Sequence, residues 1–175
     1  KDLIEVKPPA TYKKAESIEK WMEANAEAEQ EKQWRKQALN PNSGRILSIA
    51  YSFGGDVEVI CNRSLSEKGL LGQFALKMRE GLDGRPPYFI GHNVQFDMGF
   101  LWKRGIINNV DLPAIKPFGR HGKDFFCTMT HWEGFKGRIS QDNLCKLLGI
   151  EGKPDGVTGA TVLDYYLDKK YDDIA

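Results

Sequence analysis

The sequence predicts an α/β fold, a mixed sheet flanked by helices and preceded by a long charged helix. Three observations predict it. Apolar strand-like runs alternate with helix-like segments from Arg45 onward, and Gly54-Gly55 divides one such run into two arms. In addition, the short apolar run Tyr88-Phe89-Ile90 leads through Gly91-His92-Asn93 into a new helical segment. The 175 residues carry 25 Lys+Arg against 24 Asp+Glu and are 41% hydrophobic, the profile of one ordinary globular domain. A chain of this length buries roughly 70% of the surface its unfolded form exposes, so it needs no disulfide framework or structural zinc to fold.

Residues 1–40 form the helical extension and differ in texture from the rest. They hold eight Lys+Arg, eight Asp+Glu and no glycine, and Glu16 to Leu39 is rich in strong helix formers. Ile18, Trp21 and Met22 give one apolar contact at helical spacing, and Trp34, Ala38 and Leu39 give another. Asn40-Pro41 stops the helix, because the proline ring pushes its predecessor out of the helical region. Residues 41–175 are the α/β core. Ile46 to Phe53 and Val57 to Ile60 read as an antiparallel hairpin across Gly54-Gly55. Leu65, Ser66 and Leu70 match a hydrophobic staple around an N-cap, and Leu71, Phe74, Ala75 and Met78 continue that helix to Gly81. Pro86-Pro87 precedes the strand at 88–90, and Val94 to Lys103 is the next helix. Two further stapled starts are Ile139/Ser140/Leu144, ending at Gly149, and Val157/Thr158/Val162, running to about Lys170. With no internal repeat and no long linker, the whole of 1–175 reads as a single domain with its helical extension.

Several function classes are disfavoured at this level. The longest mostly apolar run, Ile46 to Phe53, is far short of the ~20 residues that cross a bilayer, and Lys1 to Ala10 lacks a signal peptide's apolar stretch. The expectation is a cytoplasmic protein with no membrane partner. Cys61, Cys127 and Cys145 are odd in number and widely spaced, which fits buried reduced thiols better than disulfides or a zinc knuckle. A net charge of +1 argues against bulk electrostatic binding of nucleic acid but says nothing about a local site.

The chemistry concentrates in the stretch from Tyr88 to Trp102. Asn93 is a good N-cap, which places Asp97 four residues on and on the same side. Val94, Phe96, Met98, Phe100, Leu101 and Trp102 surround Asp97 with apolar groups, so the carboxylate is expected to be at least half buried and to need a cation, a donor cluster or a metal opposite. The alternative is that Asp97 only benefits from the positive end of its helix and that His92 is a satisfied turn histidine.

Gly91-His92-Asn93-Val94-Gln95-Phe96-Asp97 resembles the second motif of the DEDD 3′ to 5′ exonucleases. Pro8 to Lys13, the charged helix, Gly44-Arg45-Ile46 to Ala50, Thr128 to Trp132, Gly137 to Ser140, Leu144 to Gly149 and Gly152-Lys153 extend the likeness to the phage-borne branch related to polymerase B proofreading domains. The resemblance implies an RNase H-like fold and hydrolysis of the 3′-terminal phosphodiester by two divalent ions, Mg²⁺ or Mn²⁺, releasing nucleoside 5′-monophosphates. It implies Asp97 as the catalytic metal ligand, His92 and Asn93 as groups that position the terminal nucleotide, and Phe96 as its support. The implied partner is a nucleic-acid 3′ end, single-stranded DNA by preference, in the host cytoplasm if the protein is phage-encoded. Oligomeric state, metal identity, DNA against RNA and single strand against duplex are left open.

Two-metal chemistry needs several carboxylates converging from separate elements. The family supplies an Asp-x-Glu on its first strand and a last aspartate in a Tyr/His-x-x-x-Asp motif. Asp56-Val57-Glu58 is the only Asp-x-Glu, but it lies in the second hairpin arm, where it reads as two polar side chains on an exposed edge. No Tyr or His has an Asp four residues later. The expectation is that the outer motifs lie before Lys1 and after Ala175, leaving the strand at Ile46 to Phe53 with an open edge unless Leu3 to Val6 or a partner fills it. Arg138 and Lys153 are weaker phosphate candidates, and Phe100, Trp102 and Trp132 weaker stacking candidates, than core or solvated residues. Two other readings remain: a non-catalytic nucleic-acid-binding module of the same fold, and a helical interaction protein working through residues 16–39.

Overall fold

A computed structural model of the chain describes residues 4–61, 66–113, 115–116, 124–134, 136–152, 156–159 and 161–174. The chain divides into two compact units, Lys1–Arg45 and Ile46–Ala175.

In the first unit, α1 spans Ala15–Lys36 and tightens into a 3₁₀ turn at Gln37–Leu39. None of its residues is buried. The helix is supported by its own surface instead: Lys20 pairs with Glu16 at 2.8 Å and Arg35 with Glu31 at 2.9 Å, while Arg35 and Lys36 suit the negative end of the dipole. The Tyr12 ring packs on Trp21 with centroids 6.3 Å apart. Asn40 is extended (φ −104°, ψ 114°), as a residue before proline must be. The backbone then folds back, with Ser43 and Gly44 N–H both donating to the Asn40 carbonyl. A Cβ on Gly44 would stand 2.8 Å from the Ala38 carbonyl oxygen and 3.0 Å from those of Gln37 and Asn40, so this turn requires glycine. It also carries the first unit to Arg45.

The second unit is mixed α/β. Strands β1 (Ser48–Tyr51) and β2 (Glu58–Cys61) pair antiparallel, Ser48 opposite Cys61 and Tyr51 opposite Glu58, reversing through Gly54 at φ 88°. Helix α2 (Glu67–Leu82) starts at Ser66, whose Oγ accepts from Gly69 N–H at 3.1 Å. It ends one residue past the expected Gly81, with Asp83 in the left-handed region. Leu65 of the expected staple lies outside the described residues. Strands β3 (Phe89–Gly91) and β4 (Phe125–Cys127) pair parallel, Gly91 opposite Cys127. Helices α3 (Val94–Ile107), α4 (Thr128–Glu133), α5 (Gln141–Leu148), α6 (Val162–Leu167) and α7 (Tyr171–Ile174) complete the unit. Helix α5 is capped as its sequence predicts: Ser140 Oγ accepts from Asn143 N–H at 3.2 Å and Gly149 closes it at φ 65°. Helix α6 is shorter than expected. Thr158 and Thr161 bond each other's backbone and hydroxyl groups in a turn, which delays the helix to Val162, and Lys169 at φ 60° follows its end.

Among the described residues the strands form two separate pairs, not one mixed sheet. No described strand bonds both β1 and β3. Leu3 is outside the described residues, and residues 4–6 are in no strand. What joins the pairs is the core: Ile49 of β1, Leu70, Leu71 and Phe74 of α2, Val94, Met98 and Leu101 of α3, and Cys127 of β4 belong to one buried cluster.

One ion pair lies inside this core. Glu67 and Arg104 are both buried, and the Glu67 carboxylate accepts from Arg104 Nε at 2.9 Å, from Arg104 Nη2, from Asn108 Nδ2 at 3.1 Å and from Ile46 N–H at 2.9 Å. Burial alone pushes Glu67 up. The Arg104 hydrogen bond, the Ile46 N–H, Asn108 and the Arg104 charge outweigh that and hold it below the usual carboxylate range.

The caps give a first quantitative test. Ser66→Ala should cost about 1 kcal/mol, read as a lower urea midpoint at unchanged slope, and Ser66→Asp should restore most of it. An unchanged midpoint in Ser66→Ala would remove the cap from the account of α2.

Candidate active site

The head of α3 is built by the register of the parallel pair. β3 ends at Gly91, and two residues, His92 and Asn93, turn the backbone into Val94. Asn93 sits in the left-handed region (φ 58°, ψ 35°), which asparagine tolerates better than most residues. It occupies the N-cap position, but its side chain makes no capping hydrogen bond, contrary to the expected cap; only its carbonyl starts the helix, accepting from Phe96 N–H at 2.9 Å. The left-handed backbone replaces the extended geometry that a capping side chain needs.

Cys127, opposite Gly91, is buried beneath this turn. Burial pushes its thiol up, but hydrogen-bonding groups of Thr130 and the backbone N–H groups of Val94 and Asn93 outweigh that and hold it below its ordinary value. The Thr130 hydroxyl also donates to the Cys127 carbonyl at 3.3 Å.

His92 is engaged on both ring nitrogens. Nε2 lies 2.9 Å from the Ile139 carbonyl, which can only accept, so Nε2 donates there. Nδ1 lies 3.0 Å from the Thr128 hydroxyl, which is itself 3.4 Å from the Gly91 carbonyl. The imidazole thus ties the end of β3, the start of α4 and the segment before α5 to one another.

Asp97 and Phe96 are both exposed in the first turn of α3. This corrects the expectation of a carboxylate at least half buried. Val94, Met98 and Leu101, at i, i+4 and i+7, take the inner side, and Arg104, seven residues after Asp97 on the same stripe, is buried against Glu67. Asp97 shares that angular position but lies in the first turn of α3, where it is exposed. The Phe96 ring, 43% exposed, packs on Phe100 at a centroid distance of 5.7 Å. The structure therefore brings Asn93, Phe96 and Asp97 together at the carboxyl end of a parallel strand pair, the end where open α/β sheets place ligands.

The other candidates are dispersed. Phe100 is in the core, Trp102 packs against it half-buried, and Trp132 and Arg138 are exposed. Lys153 lies outside the described residues. Asp56 and Glu58 are exposed as expected; Glu58 accepts from Tyr51 Oη at 3.0 Å and pairs with Lys77 at 3.5 Å. The sequence reading did not place Cys127 and Thr128 beneath the motif, although Phe125-Phe126-Cys127 before Thr128 carries the apolar signal of a short strand.

A two-metal centre needs several converging carboxylates. Among the described residues no group of three or more His, Cys, Asp or Glu side chains is placed to hold a metal ion. The described donors do not fit a metal pair, and Asp97 is one carboxylate in the helix turn that follows the carboxyl end of β3. No helix among the described residues is long and apolar enough to cross a membrane. Compared with known protein families, with curated proteins and with solved structures, the chain matches none.

Proposed function

We propose that this chain is a metal-dependent 3′ to 5′ exonuclease domain carrying the second DEDD motif, on an RNase H-like fold, acting in the cytoplasm on the 3′ end of single-stranded DNA. The observation that carries the reading is the joint exposure of Asp97 and Phe96 beside Asn93, at the carboxyl end of β3. Phe96 offers a face on which a terminal base stacks, an interaction worth about 1–3 kcal/mol per base. The Asn93 amide, free of capping duty, is a donor and acceptor for that nucleotide. His92 works from behind as a positioning residue, since its nitrogens hold the turn. A cation between the Asp97 carboxylate and the phosphodiester would offset their repulsion, which makes nucleotide binding cation-dependent under this reading. Asp97 would be one of the carboxylates holding such ions, whose chemistry would be activation of water and neutralisation of the leaving oxygen.

The test uses the 175-residue chain and a fluorescent single-stranded oligonucleotide with a free 3′ hydroxyl. Mn²⁺ should strengthen binding or permit trimming, Asp97→Asn should abolish that Mn²⁺ effect, and Phe96→Ala should weaken binding about 10-fold. Binding that ignores both Mn²⁺ and Asp97→Asn would support the alternative, a non-catalytic nucleic-acid-binding module. No binding in either condition would sink both.

A further inference from the structure

At the opposite end of the parallel pair, where β3 and β4 begin, lies a cavity of about 600 Å³, within the range of small-molecule sites. Phe89 N–H donates to the Asp124 carbonyl at 3.0 Å, which fixes both strand starts at its edge. Three cations from three segments line it: Arg79 near the end of α2, Arg85 in the loop that follows, and Lys116. Pro86, Pro87 and Phe89 form an apolar side of the lining beside them, Phe89 from its place against the core.

The charges are arranged to be exchanged. Arg79 pairs with Asp111 at 3.3 Å and Lys116 with Asp124 at 3.4 Å, and all four side chains are more than half exposed. Exposed pairs of this kind hold weakly, so an incoming dianion can replace the carboxylates without uncovering a buried charge. Arg85 donates from Nε to the Leu82 carbonyl at 3.1 Å, which sets the plane of its guanidinium, and among the described residues it pairs with no carboxylate. A planar guanidinium fixed at Nε keeps its terminal nitrogens for two oxygens of one phosphate.

We propose that this cavity is a mononucleotide-type site, taking a phosphate on Arg85, Arg79 and Lys116 and a flat ring against Pro86, Pro87 and Phe89. A bare anion would leave the apolar wall unused, and an uncharged ring would leave the cations unused. The site is separate from the head of α3 and does not depend on the exonuclease reading.

The test is calorimetric titration of the 175-residue chain with AMP, with adenosine and inorganic phosphate as comparisons. AMP should bind saturably and at least about 10-fold tighter than either comparison. Arg85→Ala should weaken AMP about 10-fold or more with an unchanged circular dichroism spectrum, and Arg85→Lys should recover only part. Phosphate binding as tightly as AMP, or AMP binding indifferent to Arg85→Ala, would each overturn the proposal.

Discussion

Glu67→Ala should destabilise the second unit by about 3–5 kcal/mol, measured by urea unfolding of the whole chain. The substitution removes one carboxylate and strands three partners. Arg104 is left as an uncompensated charge in the core, Ile46 N–H loses its acceptor, and Asn108 loses one of its two bonds. The size comes from that stranding, not from the attraction itself. Replacing both charges, Glu67→Met with Arg104→Met, should therefore be milder than Glu67→Ala alone, because only neutral donors are then left unpaired. A double variant as damaged as the single one would contradict this account. The pair also sets an acid limb. Its folded value lies below the ordinary 4.5, so its contribution is fully present above that pH and is lost as the pH falls through the lowered value. Wild type should lose stability steeply there, and Glu67→Ala should lose less.

Leu71→Ala should cost about 2–5 kcal/mol in the same measurement, and Leu70→Ala the same. Both side chains have 0% exposure, the only large ones among the described residues so enclosed, and they sit where α2 faces the shared core. The matched control is on the same helix. Leu76 is 57% exposed, and Leu76→Ala should move stability by no more than about 0.5 kcal/mol. If Leu71→Ala behaved like Leu76→Ala, the inward face of α2 would be assigned wrongly.

How much of this was legible in the sequence depended on the range of the interactions involved. Ser66, Ser140 and Gly149 act within four residues of themselves, so their caps were readable directly, and so was the Gly54-Gly55 hairpin. Thr158 misled because a second hydroxyl, Thr161, lies at the same reach and captures it. Asp97 misled differently. Its neighbours in sequence are apolar, but burial along a helix depends on what stands opposite each turn, and the first turn of α3 extends past its strand. The Glu67–Arg104 pair joins residues 37 apart on two helices, and no local pattern announces it. At the candidate site, Asn93, Phe96 and Asp97 were found by motif, whereas Cys127 and Thr128 reach the same place only through the β3–β4 register.

That register also governs the order of assembly. β1 and β2 meet across 13 residues at their widest pair, Ser48 with Cys61, while Gly91 meets Cys127 across 36. The longer loop costs roughly 1 kcal/mol more entropy to close. The hairpin can form while the rest of the chain is still searching, whereas the Asn93 turn cannot settle until β4 arrives. The motif region therefore depends on a pairing far more distant in sequence than the hairpin's, and loses its support whenever that pairing lets go.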